Sequence, residues 1–178
     1  TGITGWGECY ASTVGPAAMR AVITDVFTRH MEGMSPERIE LMFRRVYSSG
    51  FTQRPDPTVI GAFAGLEIAC WDILGKATGL PCYQLLGGRA QDDILLYRAI
   101  SQIEPEAMAR NVAGYRAEGY TKFQLKVGSD ADSDIERIRA CRSILQPGDV
   151  LVADANTGWT MHEAARVVNA VRDVDVYI

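Results

Sequence analysis

The pattern of apolar and polar positions divides the chain into two stretches with different rhythms. Residues 16 to 32 and 35 to 48 read as amphipathic helices, the second opened by Ser35-Pro36-Glu37 as N-cap, N1 proline and first-turn acid. A longer helix is predicted from about Thr58. Val59, Phe63, Leu66, Cys70, Ile73, Leu74 and Ala77 recur there at helical spacing, and Gly79 and Pro81 stop it. Residues 48 to 57, with Pro55 and Pro57, form the clearest loop.

From about residue 94 the period changes. Residues 94 to 100, 120 to 127, 150 to 154 and 174 to 178 read as strands. Residues 104 to 118, 132 to 145 and 160 to 172 read as helices, striped by Met108, Val112, Tyr115; Ile135, Ile138, Leu145; and Ala164, Val167, Val171. Regular βα alternation predicts a parallel sheet. A strand spacing of about 30 residues suits a doubly wound sheet or a barrel. No G-x-G-x-x-G follows the first strand, which favours the barrel. A whole barrel takes about 250 residues, so residues 94 to 178 would supply only its first strands and helices. The opening Thr1-Gly2-Ile3-Thr4-Gly5-Trp6-Gly7-Glu8 reads as a turn entering a strand, and the last residues stop part way along another. The expectation is a segment of a longer protein.

The candidate chemistry lies at two strand ends. Phe123, Leu125 and Val127 alternate with Gln124 and Lys126, so the two polar side chains share one face of a short strand. Strands of a parallel sheet are normally covered on both faces and read apolar throughout. Polar groups there cost several kcal/mol unless partners satisfy them, and the partners of a buried lysine usually make a site. The plain alternative is a terminal strand whose lysine reaches out to water. In a barrel, reacting groups gather at the C-terminal strand ends. Lys126 ends one such strand, Asp154 ends the next, and Asn156 follows. Asp154 suits a hard, oxygen-loving cation, which needs several further oxygens; by itself Asp154-Ala155-Asn156 also reads as Asx side chains capping nearby amides. Asp130, Asp132 and Asp134 have the opening spacing of a calcium loop, but Ile135 and Cys141 stand where its glycine and glutamate belong. The expected role of these aspartates is to cap the following helix and favour its dipole.

Composition narrows the classes. The 178 residues are 47% hydrophobic and 22% charged, an ordinary globular balance. Eighteen basic against 22 acidic residues give a net charge of −4, which points away from nucleic acid and anionic membranes. No uninterrupted apolar run approaches the roughly 18 residues of a membrane span, and no secretory segment opens the chain. Cys9, Cys70, Cys82 and Cys141 are scattered without a C-x-x-C pair and read as reduced thiols of a cytoplasmic protein. Neither His30 nor His162 shows the setting of a nucleophile's partner.

Taken together these residues resemble the mandelate racemase and muconate lactonizing enzyme family of the enolase superfamily. Thr4-Gly5-Trp6-Gly7-Glu8 is similar to the early strand of the family's capping domain. Gly65-Leu66-Glu67-Ile68-Ala69-Cys70-Trp71-Asp72-Ile73-Leu74-Gly75-Lys76 is similar to its long helix, and residues 79 to 88 to the connection into the barrel. The resemblance implies an α+β capping domain over residues 1 to 93, lacking its N-terminal part, followed by a TIM-type (β/α) barrel covered in part by residues 94 to 178. It implies removal of the proton α to a carboxylate, with Mg²⁺ stabilising the enediolate that forms. Lys126 matches the second lysine of the family's Lys-x-Lys motif, the base; Asp154 matches the first of three acidic metal ligands; Asn156 matches the amide near the substrate carboxylate. The second and third acids, and the opposite acid or base, are expected beyond Ile178.

Gln124 stands where the family often has lysine, so the site brings one cation fewer near the substrate. A substrate carrying its own cation, such as an amino acid or an N-methylated proline, would suit that change, with aromatics such as Trp6, Tyr10, Tyr47 or Phe51 available to face it. The reading is a Mg²⁺-dependent racemase or epimerase of a small carboxylate, cytoplasmic and, as is common in the family, a homo-oligomer. Dehydration or cycloisomerisation through the same enediolate is the alternative within the superfamily; a non-catalytic α/β binding protein is the alternative outside it.

Overall fold

The computed structural model describes residues 2–11, 14–54 and 56–178; Thr1 and Pro55, read above as part of an opening turn and a loop, lie outside the described residues. The chain falls into two compact units, Thr1–Asp92 and Asp93–Ile178.

The first unit is built on helices α1 (Pro16–His30), α2 (Ile39–Ser49) and α3 (Pro57–Thr78), with a 3₁₀ turn at Phe51–Gln53 and a short helix α4 (Cys82–Leu85). Asp56 caps α3 by accepting from the Thr58 and Val59 N–H groups at 2.9 and 3.1 Å, Pro57 fills the first turn, and Gly79 closes it at φ +70°. The apolar stripe of α3 packs on α1 and α2, burying Phe63 and Ala62 with Met19, Val26, Met42 and Val46. By length and composition alone α3 could cross a membrane, although Glu67 and Asp72 interrupt its apolar run. In this unit it is the core helix, and it carries the Lys76–Asp72 ion pair.

Two boundaries differ from the sequence expectation. Helix α2 starts at Ile39, because the Ser35 hydroxyl accepts from the Glu37 N–H and the Arg38 N–H bonds back to the Ser35 carbonyl, closing a separate turn. The segment at Thr4–Glu8 has no ladder partner among the described residues. It runs along α3 instead, with the Trp6 N–H donating to Asp72 Oδ2 at 2.8 Å and Lys76 Nζ to the Thr4 carbonyl at 2.8 Å. Gly5 and Gly7 permit that approach, since a Cβ on either would collide with the Ala69 or Gly65 carbonyl oxygen.

The second unit alternates β1 (Arg98–Ile100), α5 (Pro105–Ala117), β2 (Lys122–Lys126), α6 (Ala131–Ile144), β3 (Val150–Asp154) and α7 (Met161–Ala170). The strands are parallel in the order β1-β2-β3, and Tyr177 adds the first bridge of a further strand beside β3. Each new strand therefore joins the same growing edge. Helices α5, α6 and α7 pack neighbour to neighbour on one face. There Ile100, Phe123, Leu125, Leu151 and Ala153 meet Met108, Val112, Ile138, Cys141 and Val167. Burying side chains of this size stabilises by about 1.5–3 kcal/mol each. A single helical layer outside sequentially added strands is the arrangement of a (β/α) barrel, whereas a doubly wound sheet carries helices on both faces.

Strand β1 is shorter than expected. Residues 94 to 97 are exposed and outside the ladder. Arg98 is level with Phe123 and β2 begins at Lys122, so residues 94 to 96 precede the start of β2, and Tyr97, level with Lys122, stays outside the ladder.

Candidate active site

The register of β2 against β3 sets Lys126 directly beside Asp154 and Gln124 beside Val152. The Val127 N–H bonds the Asp154 carbonyl at 3.1 Å, carrying the backbone pairing past the end of β2. With Phe123 and Leu125 committed to the helices, Gln124 and Lys126 point to the other face, half-buried. Lys126 Nζ donates to Asp154 Oδ2 at 2.7 Å and to Asn156 Oδ1 at 2.9 Å. Gln124 Nε2 donates to the same Asp154 oxygen at 3.0 Å, and the Asn156 N–H closes on Asp154 Oδ1 at 3.0 Å. Amine, amide, carboxylate and second amide thus form one group, and the Asx turn and the cross-strand contacts exist side by side. The Lys126 ammonium, then the Asn156 N–H, hold the Asp154 carboxyl below the usual carboxylate range.

The loop after β3 is strained. Asn156 and Thr157 take left-handed backbone angles, φ +46° and +64°. Asparagine tolerates them, but a β-branched threonine does not adopt them without cost. This loop lies against the one after β2. Gly128 sits at φ +106°, where a Cβ would collide with the Ala155 carbonyl, and a Cβ on Gly158 would collide with the Gly128 carbonyl. The two loops are held at backbone contact.

Of the three aspartates expected to cap α6, Asp134 does something else. Asp130 is the expected cap, accepting from the Ser133 N–H at 2.9 Å, and Asp132 pairs with Arg166. Asp134 is no cap. Fully buried, it accepts from the Gly128 and Ser129 N–H groups at 2.9 Å each and from the Trp159 indole at 2.8 Å. Burial alone would raise its pKa, but these donors and Arg137 outweigh it and hold the carboxyl below its ordinary value. The signal was in the sequence: Asp134 falls on the apolar stripe of α6 with Ala131, Ile138 and Cys141, where a cap has no reason to be.

Trp6 and Tyr10 belong to the first unit, where both are strongly exposed. Tyr47 stacks on Phe43 at 5.7 Å and lies under Arg54, while exposed Phe51 takes φ +46°.

The chemistry of the donor set allows one test of a divalent cation. Asp154 is a hard oxygen donor at a strand end, as such an ion requires, and Gln124 and Asn156 are neutral neighbours that would not repel it. Among the described residues no group of three or more acidic, histidine or cysteine side chains is placed to hold a metal. The chain thus fits magnesium as the source of one ligand of the roughly six the ion takes.

Residues 1–87 match the family described as mandelate racemase / muconate lactonizing enzyme, N-terminal domain, and residues 107–178 match that described as enolase C-terminal domain-like. Over 99% of its length the chain is 53% identical to a cis-3-hydroxy-L-proline dehydratase of Roseibium aggregatum, of which it covers 48%. A mandelate racemase/muconate lactonizing enzyme-like protein from Roseovarius sp. TM1035 superposes with a TM-score of 0.88 at 45% identity, over 97% of this chain and 49% of the other. A further structure from Roseovarius nubinhibens ISM, complexed with magnesium, superposes at 0.82 with 32% identity, over 98% of this chain and 49% of that one. The chain therefore spans about half the length of the relatives it matches. On the sequence match, the fold and the strand-end residues together, the chain belongs to the mandelate racemase/muconate lactonizing enzyme family of the enolase superfamily.

Proposed function

We propose that the whole protein is a magnesium-dependent enzyme that removes the α-proton of a small cyclic amino acid and expels its β-hydroxyl as water. The observation that carries this is the meeting of Lys126 Nζ with Asp154 and Asn156 at the ends of β2 and β3. As a neutral amine, Lys126 accepts the proton from Cα. The electron pair left behind moves into the substrate carboxylate, then returns toward Cβ as the Cβ–O bond breaks. The departing oxygen takes a proton and leaves as water, and the enamine that remains tautomerises to a cyclic imine. Asn156 donates through its amide nitrogen to a carboxylate oxygen while its Oδ1 keeps the lysine aimed. Asp154 would hold the divalent cation, whose charge offsets the second negative charge of the deprotonated carboxylate.

Two observations favour a hydroxylated imino acid as the substrate class. The dehydratase relative named above acts on cis-3-hydroxy-L-proline by its name, and the identity to it covers nearly the whole chain. Gln124 hydrogen-bonds Asp154 without adding charge, so a substrate ammonium entering this face meets one lysine at the site rather than two. Racemisation or epimerisation shares the first step and differs only in where the proton returns.

The test is an NMR panel on the full-length protein with Mg²⁺ in D₂O: cis- and trans-3-hydroxyproline, proline, N-methylated proline and simple hydroxy acids. Loss of a 3-hydroxyproline with appearance of the cyclic imine supports the proposal. Deuterium at Cα with the hydroxyl retained selects the racemase reading. Magnesium binding with neither change selects a non-catalytic protein.

A further inference from the structure

Asp134 collects donors from more than one loop. Its Oδ2 takes Gly128 N–H, Ser129 N–H and Trp159 Nε1; its Oδ1 takes Arg137 Nη1 at 2.7 Å and Gln102 Nε2 at 3.4 Å. Gln102 follows β1, Gly128 and Ser129 follow β2, and Trp159 follows β3. Arg137, one turn further along α6, extends the same connections, with Nε donating to the Ile103 carbonyl at 2.8 Å and Nη1 to Ser129 Oγ at 2.8 Å. One buried ion pair on one helix therefore ties three successive strand-to-helix loops.

Two of those loops carry the site. Lys126 lies two residues before Gly128, and Asn156 three before Trp159. The loops also touch through Gly128, Ala155 and Gly158, so any shift in one moves the other. Removing a buried carboxylate with this many donors leaves several of them unsatisfied at once.

We propose that Asp134 and Arg137 are positioning residues for the reaction: they bind the loops after β1, β2 and β3 into one body, and so fix Lys126 against Asp154 and Asn156. The proposal rests on reading that group as the reacting centre. Proton transfer tolerates little displacement, and a shift of about 1 Å can cost a hundredfold in rate.

The test uses the full-length protein and Trp159→Phe, which removes the indole N–H and keeps an aromatic ring against the core; Asp134→Asn is the direct variant, and Trp159→Phe answers if Asp134→Asn does not fold. Amide hydrogen exchange is read at Gly128 and Ser129, on the loop that Trp159→Phe leaves unaltered, and turnover is read at a temperature where circular dichroism shows each protein fully folded. The expected result is about tenfold faster exchange at those two amides, with kcat lower by about tenfold or more and KM within about twofold. Unchanged exchange at Gly128 and Ser129 overturns the coupling of the loops. Faster exchange with unchanged kcat in the folded variant overturns the positioning role and leaves only a structural one. If the wild-type protein turns over no member of the panel, the proposed reaction fails, while the exchange comparison still decides whether the loops are joined.

Discussion

Lys126 and Asp154 face each other as directly paired residues of adjacent parallel strands, with Nζ 2.7 Å from Oδ2. The ladder and the packing of Phe123, Leu125, Leu151 and Ala153 behind it set the two strand ends level, and the loops that follow bring Asn156 onto the same ammonium. Side chains carried on paired strands are held more precisely than side chains carried on loops alone.

Because the pair is partly exposed, with side chains 37% and 26% accessible, it should matter little to stability. Lys126→Ala is expected to keep the melting temperature within about 3 °C of the wild type while lowering turnover by a hundredfold or more. Thermal unfolding followed by circular dichroism, alongside steady-state kinetics, separates the two effects.

Gly128→Ala should fail for a backbone reason. The residue sits at φ +106°, and the added methyl would press on the Ala155 carbonyl. A loss of about 1–3 kcal/mol is expected, read from urea unfolding. Turnover should fall as well, because the displaced carbonyl adjoins Asn156.

Core substitutions behind the sheet should be costly, whereas exposed positions of the same unit should not. Ile138→Ala empties a fully buried site on α6 and is expected to cost about 2–5 kcal/mol. Met161→Ala, at a residue 86% exposed, should stay within about 0.5 kcal/mol. Urea midpoints of the two variants give the comparison.

Asp134 predicts an acid limit on stability. Its folded pKa lies below the unfolded carboxylate value of about 3.9. The stabilisation it provides is therefore fully present above that value and is lost as pH falls through the lower folded one. In Asp134→Asn the urea midpoint should begin lower at pH 7 and fall less steeply below pH 4 than in the wild type. Parallel curves for the two proteins would contradict the assignment.

Burial pushes the Cys141 thiol up to about 12, so it should resist alkylation in the native protein and react once urea unfolds it. Peptide mapping after iodoacetamide treatment, with and without urea, reads this directly.

Much of the fold was legible because the signals were local. The β3 boundaries and the stripe of α7 follow from a short apolar run and from helical spacing. The grouping of Gln124, Lys126, Asp154 and Asn156 followed once the sheet was taken as parallel, since strand ends then meet. What escaped depended on partners distant in sequence. Whether residues 94 to 96 join the ladder is decided by where β2 begins, 26 residues or more beyond them, and Thr4–Glu8 meets α3 through Asp72 and Lys76. The D-x-D-x-D spacing points to caps, whereas the place of Asp134 on the apolar stripe of α6 turns it inward, and its donors come from other loops.

The measurement that bears most directly on the central claim is α-proton exchange in D₂O, comparing wild-type full-length protein with Lys126→Ala on 3-hydroxyproline and proline. The wild type is expected either to incorporate deuterium at Cα or to convert the substrate to the imine, and both activities should vanish in the variant. Undiminished exchange or elimination by Lys126→Ala would show that another group takes the proton.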